Sequence, residues 1–398
     1  MENEGSDLDR LSEHTRDWSC YTTEPAETLE IVKAARSRCP VAYSREHDGF
    51  YMLLDYADVR KAMADFRTFS SEPQVLRPML PRKPIPALEM DPPRHSAWRA
   101  IFNSAVKPET PAAMAPFIRR DIRHHIDRIR TMERCDIVRE LTEPVPAETI
   151  CHLMGVDGDS VPAIRDAAIA MFDAQGDPGE FGRRQAAFGE LTVREVHERR
   201  ARPRADFLTS LADVVVEGRP LDDNDYVVLL AAFLGAGHHS TTSAMTSLIR
   251  EVFSRPELVD RLRADPAMIE PVIEETLRLR PPFFGFYRRA RKDAEVAGVP
   301  IAAGEDVYMG WAAANRDPRQ FENPETFDAD RPNCRHFSFG FGIHICPGAP
   351  LARMELRVLL EELLDRLPAL SIAGEVPPYK FGGGDYATIP SLIVAPNG

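Results

Sequence analysis

The chain has 398 residues, a formal net charge of −13 and a hydrophobic fraction of 43%. That length supports a large buried core, and the acidic balance argues against a general nucleic-acid binder, which needs a basic face. Met1 to Asp17 lacks the basic start and apolar centre of a signal peptide, Val227 to Ala236 is too short an apolar run to cross a bilayer, and six scattered cysteines make no disulfide framework. The expectation is a cytosolic protein with neither a nucleic-acid nor a membrane partner.

No linker, internal repeat or low-complexity segment divides the chain, so residues 1–398 read as one domain. Val41-Ala42-Tyr43 and Gly49 to Leu54 read as short strands about a turn, and Tyr56 to Met63 as a helix. Phe69 to Met90 carries five prolines and little periodicity, which predicts a long functional loop. A helix opens after Asp91-Pro92-Pro93, where proline suits a helix start. His95 and Arg99 are four apart on it and share a face; taken alone, the pair reads as a solvated surface. Pro111 to Arg204 predicts several helices, interrupted at Asp177-Pro178-Gly179.

Leu221 to Asp225 supplies capping and acidic first-turn residues for a helix of about 30 residues ending at Ser254-Arg255. A helix that long and apolar belongs in the protein's centre. Its middle reads Gly235-Ala236-Gly237-His238-His239-Ser240-Thr241-Thr242, and glycine inside a helix needs a packing or functional reason. Ser240 shares Ala236's face, whereas Thr241 lies about 100° further round. Packing or a bond to a neighbouring helix is the plain reading of His238, and an equal one for His239. Downstream, Glu275 and Arg278 are spaced to pair on a helix. Phe283-Phe284-Gly285-Phe286-Tyr287 follows a double proline, so alternate rings of this extended run face opposite ways. Val299-Pro300-Ile301 and Asp306 to Met309 read as strands paired across Ala303-Gly304. Ala314-Asn315-Arg316-Asp317-Pro318 reads as a structural turn. Gly382-Gly383-Gly384 has no following Lys-Ser/Thr and reads as a turn at a pocket edge, not a phosphate loop.

The most specific stretch is Phe339-Gly340-Phe341-Gly342-Ile343-His344-Ile345-Cys346-Pro347-Gly348. Its glycines allow positive φ and close approach to a flat ligand. Cys346 stands just before a helix starting near Leu351, where N–H groups favour a thiolate, a soft ligand suited to iron. Zinc held by Cys334, His344 and Cys346 is the competing metal reading, without a paired knuckle or a fourth ligand.

This string resembles the haem-binding signature F-G-x-G-x-H-x-C-x-G of the cytochrome P450 family at every fixed position. The resemblance runs along essentially the whole chain. It implies a mainly α fold with a small β-rich region, haem b (iron protoporphyrin IX) buried between the long helix and the cysteine loop, and Cys346 as the iron's axial ligand. Phe339 and Gly348 belong to that signature. His95, Arg99, Arg288 and His344 are implied as propionate contacts. Ala236 and Gly237 match the oxygen-binding helix pattern A-G-x-[D/E]-T and would leave room over the haem. Here the acid position holds His239 and the threonine position Ser240, with Thr241 the alternative hydroxyl. Arg331 is implied to join Glu275 and Arg278 in a structural cluster. Phe233, Phe284 and Tyr386 are implied to line the substrate pocket, and the helices around Asp177 to form a mobile lid.

The implied activity is oxygen insertion from dioxygen into an apolar small molecule, such as a terpenoid, polyketide, fatty or aromatic compound. No stretch reads as flavin-binding, so electrons are expected from a separate ferredoxin or flavodoxin-type donor. The departure at His239-Ser240 leaves open an oxidative-coupling or peroxide-using enzyme. A haem-binding or recruitment module without turnover is the alternative from another class.

Overall fold

The computed structural model describes residues 8–20, 22–79, 82–156, 158–174, 177–332, 334–382 and 386–398. Its longer helices are α1 (Pro25–Arg38), α2 (Tyr56–Ala64), α3 (Arg94–Ala105), α4 (Thr110–Ile129), α5 (Pro144–Met154), α6 (Val161–Asp173), α7 (Pro178–Ala201), α8 (Asp223–Phe253), α9 (Pro256–Ala264), α10 (Ile269–Leu279) and α11 (Ala349–Arg366). None among the described residues is long and apolar enough to cross a membrane.

The main sheet holds β1 (Val41–Ser44), β2 (Phe50–Leu53), β3 (Phe69–Ser70), β4 (Gly285–Ala290) and, at its centre, β7 (Asp306–Gly310). β7 runs parallel to β2 and antiparallel to β4. The expected pairing of Val299-Pro300-Ile301 with Asp306 to Met309 is corrected here. Val299–Ile301 (β6) pairs instead with Ala294–Val296 (β5). The reason is local: Ala297 and Gly298 both take positive φ, 50° and 80°, which makes the tight turn that matches strand twist. Asp306 to Met309 then has two longer strands to join.

The helical core gathers one apolar face from each of several helices. In α4, Ile118, Ile122 and Ile126 recur every fourth residue and are fully buried. They meet Met245, Leu248 and Val252 of α8, Val272 and Ile273 of α10, and Leu356, Leu359 and Leu363 of α11. At about 1.5–3 kcal/mol per buried aliphatic side chain, this cluster fixes the long helix against its neighbours. Asp222 and Asp225 cap α8 reciprocally, each side chain accepting from the other's backbone N–H.

The break at Asp177-Pro178-Gly179 separates α6 from α7, and the Asp177 carboxylate accepts from the N–H groups of Gly179 and Glu180. Of the triple glycine, Gly383 and Gly384 lie outside the described residues. Gly382 is packed so closely under the Tyr386 ring that a Cβ would stand 1.9 Å from it.

Candidate haem-thiolate site

The cysteine loop is held by its own backbone. The Cys346 N–H donates to the Phe339 carbonyl at 2.8 Å. Gly340 and Gly342 take φ of 71° and 74°, a region that disfavours side chains. A Cβ on Gly342 would also sit 2.5 Å from the Met63 carbonyl oxygen. Gly348 immediately precedes α11. Arg353, one turn into that helix, stacks over the Phe339 ring at 4.4 Å and makes a two-pronged ion pair with Glu274.

Beneath the loop lies a buried carboxylate with two arginines. Glu275 accepts from Arg278 at 2.7 and 2.8 Å, from Arg331 at 3.0 and 3.1 Å, and from the Asp328 N–H at 2.9 Å. Arg278 also reaches the Asn315 and Pro324 carbonyls. The Asn315 side chain accepts from the Phe337 N–H at 2.7 Å and meets Ser338. The turn at Ala314 to Pro318 is thereby tied to the segment leading into the cysteine loop. Cys334 belongs here too, its Sγ 3.4 Å from the Glu274 carbonyl. Among the described residues no three His, Cys, Asp or Glu side chains are grouped to hold a metal ion.

The helix start acts on Cys346 in the expected direction, the Gly348 and Ala349 backbone favouring its thiolate. Burial pushes the thiol up, and the Gly348 and Ala349 backbone together with Arg99 and Arg353 only partly oppose it. Desolvation outweighs the helix end, so a bound cation would be needed to hold the anion.

Beside Cys346 stand two arginines, Arg99 and Arg288, and two histidines, His95 and His344. Arg99 donates to the Ile345 carbonyl and to Asn103. The His95 and His344 rings meet edge to face at 4.6 Å. His344 Nε2 shares a hydrogen bond with Ser71 Oγ at 2.9 Å. Burial, with Arg288, His95 and Arg99 nearby, lowers the His344 pKa to about 2. Arg288 is wholly buried, donates to the Tyr287 carbonyl at 2.8 Å and makes no ion pair with a described residue; burial lowers its pKa to about 10. The nearest acid, Asp91, is already engaged by Arg291 and Ser70. Ser71 and Asp91 were not singled out in the sequence. Their only signal was their place at the two ends of the proline-rich loop.

On the opposite wall, Ala236 is exposed and His239 and Ser240 are partly so, while Thr241 is buried. Ser240 Oγ donates to the Ala236 carbonyl at 2.7 Å. The alternative register with Thr241 is therefore turned away from the opening. Gly237 is corrected as well: a Cβ there would meet Ile150 Cδ1 at 2.4 Å, so its small size serves the close approach of α5. His238 is buried and bonds the Glu143 carbonyl at 3.0 Å. Burial lowers the pKa of His238 to about 4 and of His239 to about 3, so both are neutral near pH 7.

Tyr386 stacks on His239 at 5.1 Å and lies 6.4 Å from Phe283. Phe283 then meets Phe286, Phe286 meets Trp311, and Trp311 packs on Gly340. An aromatic wall thus joins α8 to the cysteine loop. Two expected pocket residues are not on it. Phe233 is core, stacked on Phe102 and edge-on to Phe207. Phe284 is core against Phe381, Ala312 and Ala387. The alternation of the extended run leaves Phe283, partly exposed, on the aromatic wall instead.

A family model described as Cytochrome P450 matches residues 180–392. The erythromycin C-12 hydroxylase of Saccharopolyspora erythraea is 35% identical over 355 residues, 86% of this chain and 88% of that protein. The chain belongs to the cytochrome P450 family. The mycinamicin IV hydroxylase/epoxidase of Micromonospora griseorubida is 32% identical over 87% of this chain and 88% of its own length. Among solved structures, CYP109E1 from Bacillus megaterium in complex with corticosterone aligns with a TM-score of 0.84 at 27% identity, covering 93% of this chain and 98% of that one. A mutant of P450 EryK in complex with erythromycin B gives 0.81 at 31% identity, over 94% and 97%.

The protein is accordingly a cytochrome P450 monooxygenase, and its cofactor is haem b. The residues present fit that group. A buried arginine without a counter-ion is costly, and here Arg288, Arg99 and two histidines converge beside the one cysteine of the signature. That set suits a flat dianion carrying a metal ion.

Proposed function

We propose that this cytochrome P450 hydroxylates or epoxidises an apolar small molecule of secondary metabolism, with Cys346 as the metal ligand. The observation that carries the ligand assignment is Arg288, buried beside the signature loop without an ion pair to a described residue. Arg99, Arg288, His95 and His344 would hold the two propionates, and the desolvation they suffer alone would be offset by pairing. When bound, the thiolate-ligated haem supplies the activation of dioxygen.

The chain's own contributions are orientation, exclusion of water and handling of protons. Ala236 leaves space over the haem face. Ser240, whose O–H donates a hydrogen bond to the Ala236 carbonyl, offers Oγ as an acceptor at the opening. His239 stays neutral and packs on Tyr386. The aromatic wall of Phe283 and Tyr386 favours an apolar substrate, and the hydroxylase and epoxidase relatives support a polyketide-like one. The neutral histidine at the acid position favours one second reading, a peroxide-using variant that needs no proton relay.

Electrons would come from an acidic ferredoxin or flavodoxin-type protein. A groove of about 580 Å³ outside the cysteine loop is lined by Tyr56, Arg60, Lys61, Gln320 and Phe341, with Arg60 over the Phe341 ring at 5.1 Å and Ile345 exposed nearby. Such a basic rim on a protein of net charge −13 would steer an acidic partner there.

The test is the absorption spectrum of the reduced protein under carbon monoxide. A thiolate-type Soret band that disappears in Cys346→Ser supports the reading. A band of nitrogen-ligated type in the wild type would overturn it.

A further inference from the structure

The side chains assigned above to the propionates are themselves held in place, and one of the groups that holds them is a hydroxyl on the proline-rich loop. Ser71 is 1% exposed. Its Oγ lies 2.9 Å from His344 Nε2 and bonds no other described residue. A buried hydroxyl donates where an acceptor is in reach, so Ser71 gives its O–H to Nε2. An imidazole nitrogen that accepts carries no proton, which leaves the ring proton of His344 on Nδ1.

Nδ1 is the atom left over. It is buried, and no described residue forms a hydrogen bond with it. The Ala87 carbonyl stands near the ring, outside hydrogen-bond geometry for Nδ1. Arg99 and Arg288 also face the ring and offer no acceptor. His95 meets it edge to face, with its own Nε2 buried and unpartnered among the described residues. Buried donors are normally satisfied. A carboxylate bound beside this group satisfies Nδ1 and pairs the two guanidinium groups at once, and a haem propionate is such a carboxylate.

The Ser71 hydroxyl is aimed by a buried acid. The Ser71 N–H donates to Asp91 Oδ1 at 3.3 Å, and Ser70 Oγ donates to Asp91 Oδ2 at 2.5 Å. Asp91 is buried and pairs with Arg291 at 2.8 Å. Ser70 belongs to β3 and sits opposite Arg289 of β4, so the start of the loop is fixed to the main sheet. Glu89 ties the later arm of the loop to the earlier one. It accepts from the Val75 N–H at 3.0 Å and the Ile85 N–H at 2.8 Å, and holds Arg82 with both oxygens. Ala87, between Ile85 and Glu89, takes a φ of 61°. That is a left-handed conformation which an alanine adopts only when its surroundings impose it. The loop thus meets His344 at two points, Ser71 and Ala87, which Glu89 and Asp91 keep together.

We propose that Ser71 is a further cofactor-positioning residue. Its hydroxyl holds His344 with Nδ1–H toward a haem propionate, and through this contact closure of the proline-rich loop is coupled to occupancy of the haem site. The role rests on the haem-thiolate assignment and is one of positioning, because Ser71 acts on the cofactor only through His344. Such coupling is reciprocal: the factor that the closed loop adds to haem affinity is the factor that bound haem adds to closure of the loop.

The experiment uses the haem-loaded protein as wild type, Ser71→Ala and Ser71→Thr. Nitrogen-15 NMR of histidine-labelled protein in the reduced, carbon monoxide form reads the tautomer directly, with the His344 signal assigned by its loss in His344→Gln. The wild type and Ser71→Thr, which keeps the hydroxyl, should show a protonated Nδ1 and an unprotonated Nε2. Ser71→Ala should lose that preference. Haem transfer to apomyoglobin should be about tenfold faster in Ser71→Ala, in the range lost when the outer partner of a functional histidine is removed, and should stay near the wild-type rate in Ser71→Thr. Amide hydrogen exchange of residues 82–91 should quicken in Ser71→Ala by the same factor, while that of α4 stays unchanged. A protonated Nε2 in the wild type, unchanged haem transfer and loop exchange in Ser71→Ala, or a Ser71→Thr variant that loses haem as fast as Ser71→Ala would each overturn the role. A thiolate-type carbon monoxide band in all three proteins separates that failure from a failure of the haem-thiolate reading.

Discussion

The two walls of the haem site obey different constraints. On the cysteine side, the key residue types are demanded by the backbone or by a buried charge. Gly342 has positive φ and a carbonyl 2.5 Å from where a Cβ would be. Glu275 is enclosed by Arg278, Arg331 and a backbone N–H. On the α8 side the helix is regular throughout, so its backbone permits many side chains at positions 239 and 240, although Gly237 is held small by Ile150. The difference teaches where a family can vary: His239 and Ser240 replace the acid and threonine of the pattern without disturbing the helix. No comparable exchange is open to the cysteine loop.

The largest expected effect falls on the constrained side. Glu275→Gln leaves two buried guanidinium groups without their carboxylate. It should cost about 3–5 kcal/mol of stability, measured by denaturant unfolding, and loosen haem binding with it. A loss below about 1 kcal/mol would show that the cluster does not brace the loop, and the contrast between the walls would fail.

The α8 side should respond to pH instead. Burial depresses the His238 pKa to about 4, against about 6.5 in the unfolded chain. The unfolded form takes up a proton below about pH 6.5 while the folded form does not. Stability is therefore fully present above that pH and is lost as the pH falls toward the folded value. The loss reaches about 2 kcal/mol near pH 5. His238→Gln, which can still donate to the Glu143 carbonyl, should remove that part of the acid limb. An identical acid limb in the variant would assign it to other groups.

The legibility of the chain follows the same division. The cysteine loop and the Glu275–Arg278 spacing could be read from local sequence, whereas the role of the His95–Arg99 face and the place of Arg331 came only from the family resemblance. Ser240 could be preferred to Thr241 because helical rotation alone separates them. What stayed hidden depends on tertiary placement. Phe283 and Phe284 are interchangeable until strand register decides which ring faces the cavity. Gly237 reads as space for a ligand until Ile150 is seen to occupy it. Ser71 and Asp91 lie in a loop with no periodicity. Desolvation around Cys346, which outweighs the pull of the helix end on its thiol, has no local signature at all.

A smaller effect would sharpen the comparison by separating folding from cofactor binding. Arg288→Met removes a buried cation that makes no ion pair among the described residues. Apoprotein stability should hold or rise, because an unpaired buried charge is unfavourable. Haem retention should fall about tenfold, or about 1.4 kcal/mol, measured by transfer to apomyoglobin. A parallel loss of both quantities would mark Arg288 as a structural group only.

The smallest effects should come from the two neighbouring hydroxyls, and they discriminate most finely. Ser240 is at the opening and back-bonded to Ala236, whereas Thr241 is buried. Neither removal changes a charge, so Ser240→Ala and Thr241→Val should each leave stability within about 0.5–1.5 kcal/mol. Their difference lies in how electrons are used. Ser240→Ala should raise the fraction released as hydrogen peroxide when a surrogate ferredoxin system drives the enzyme, and Thr241→Val should not. The reverse outcome would mean that α8 is rotated by one residue relative to this structure. The face carrying His238 would then rotate with it, away from the Glu143 carbonyl.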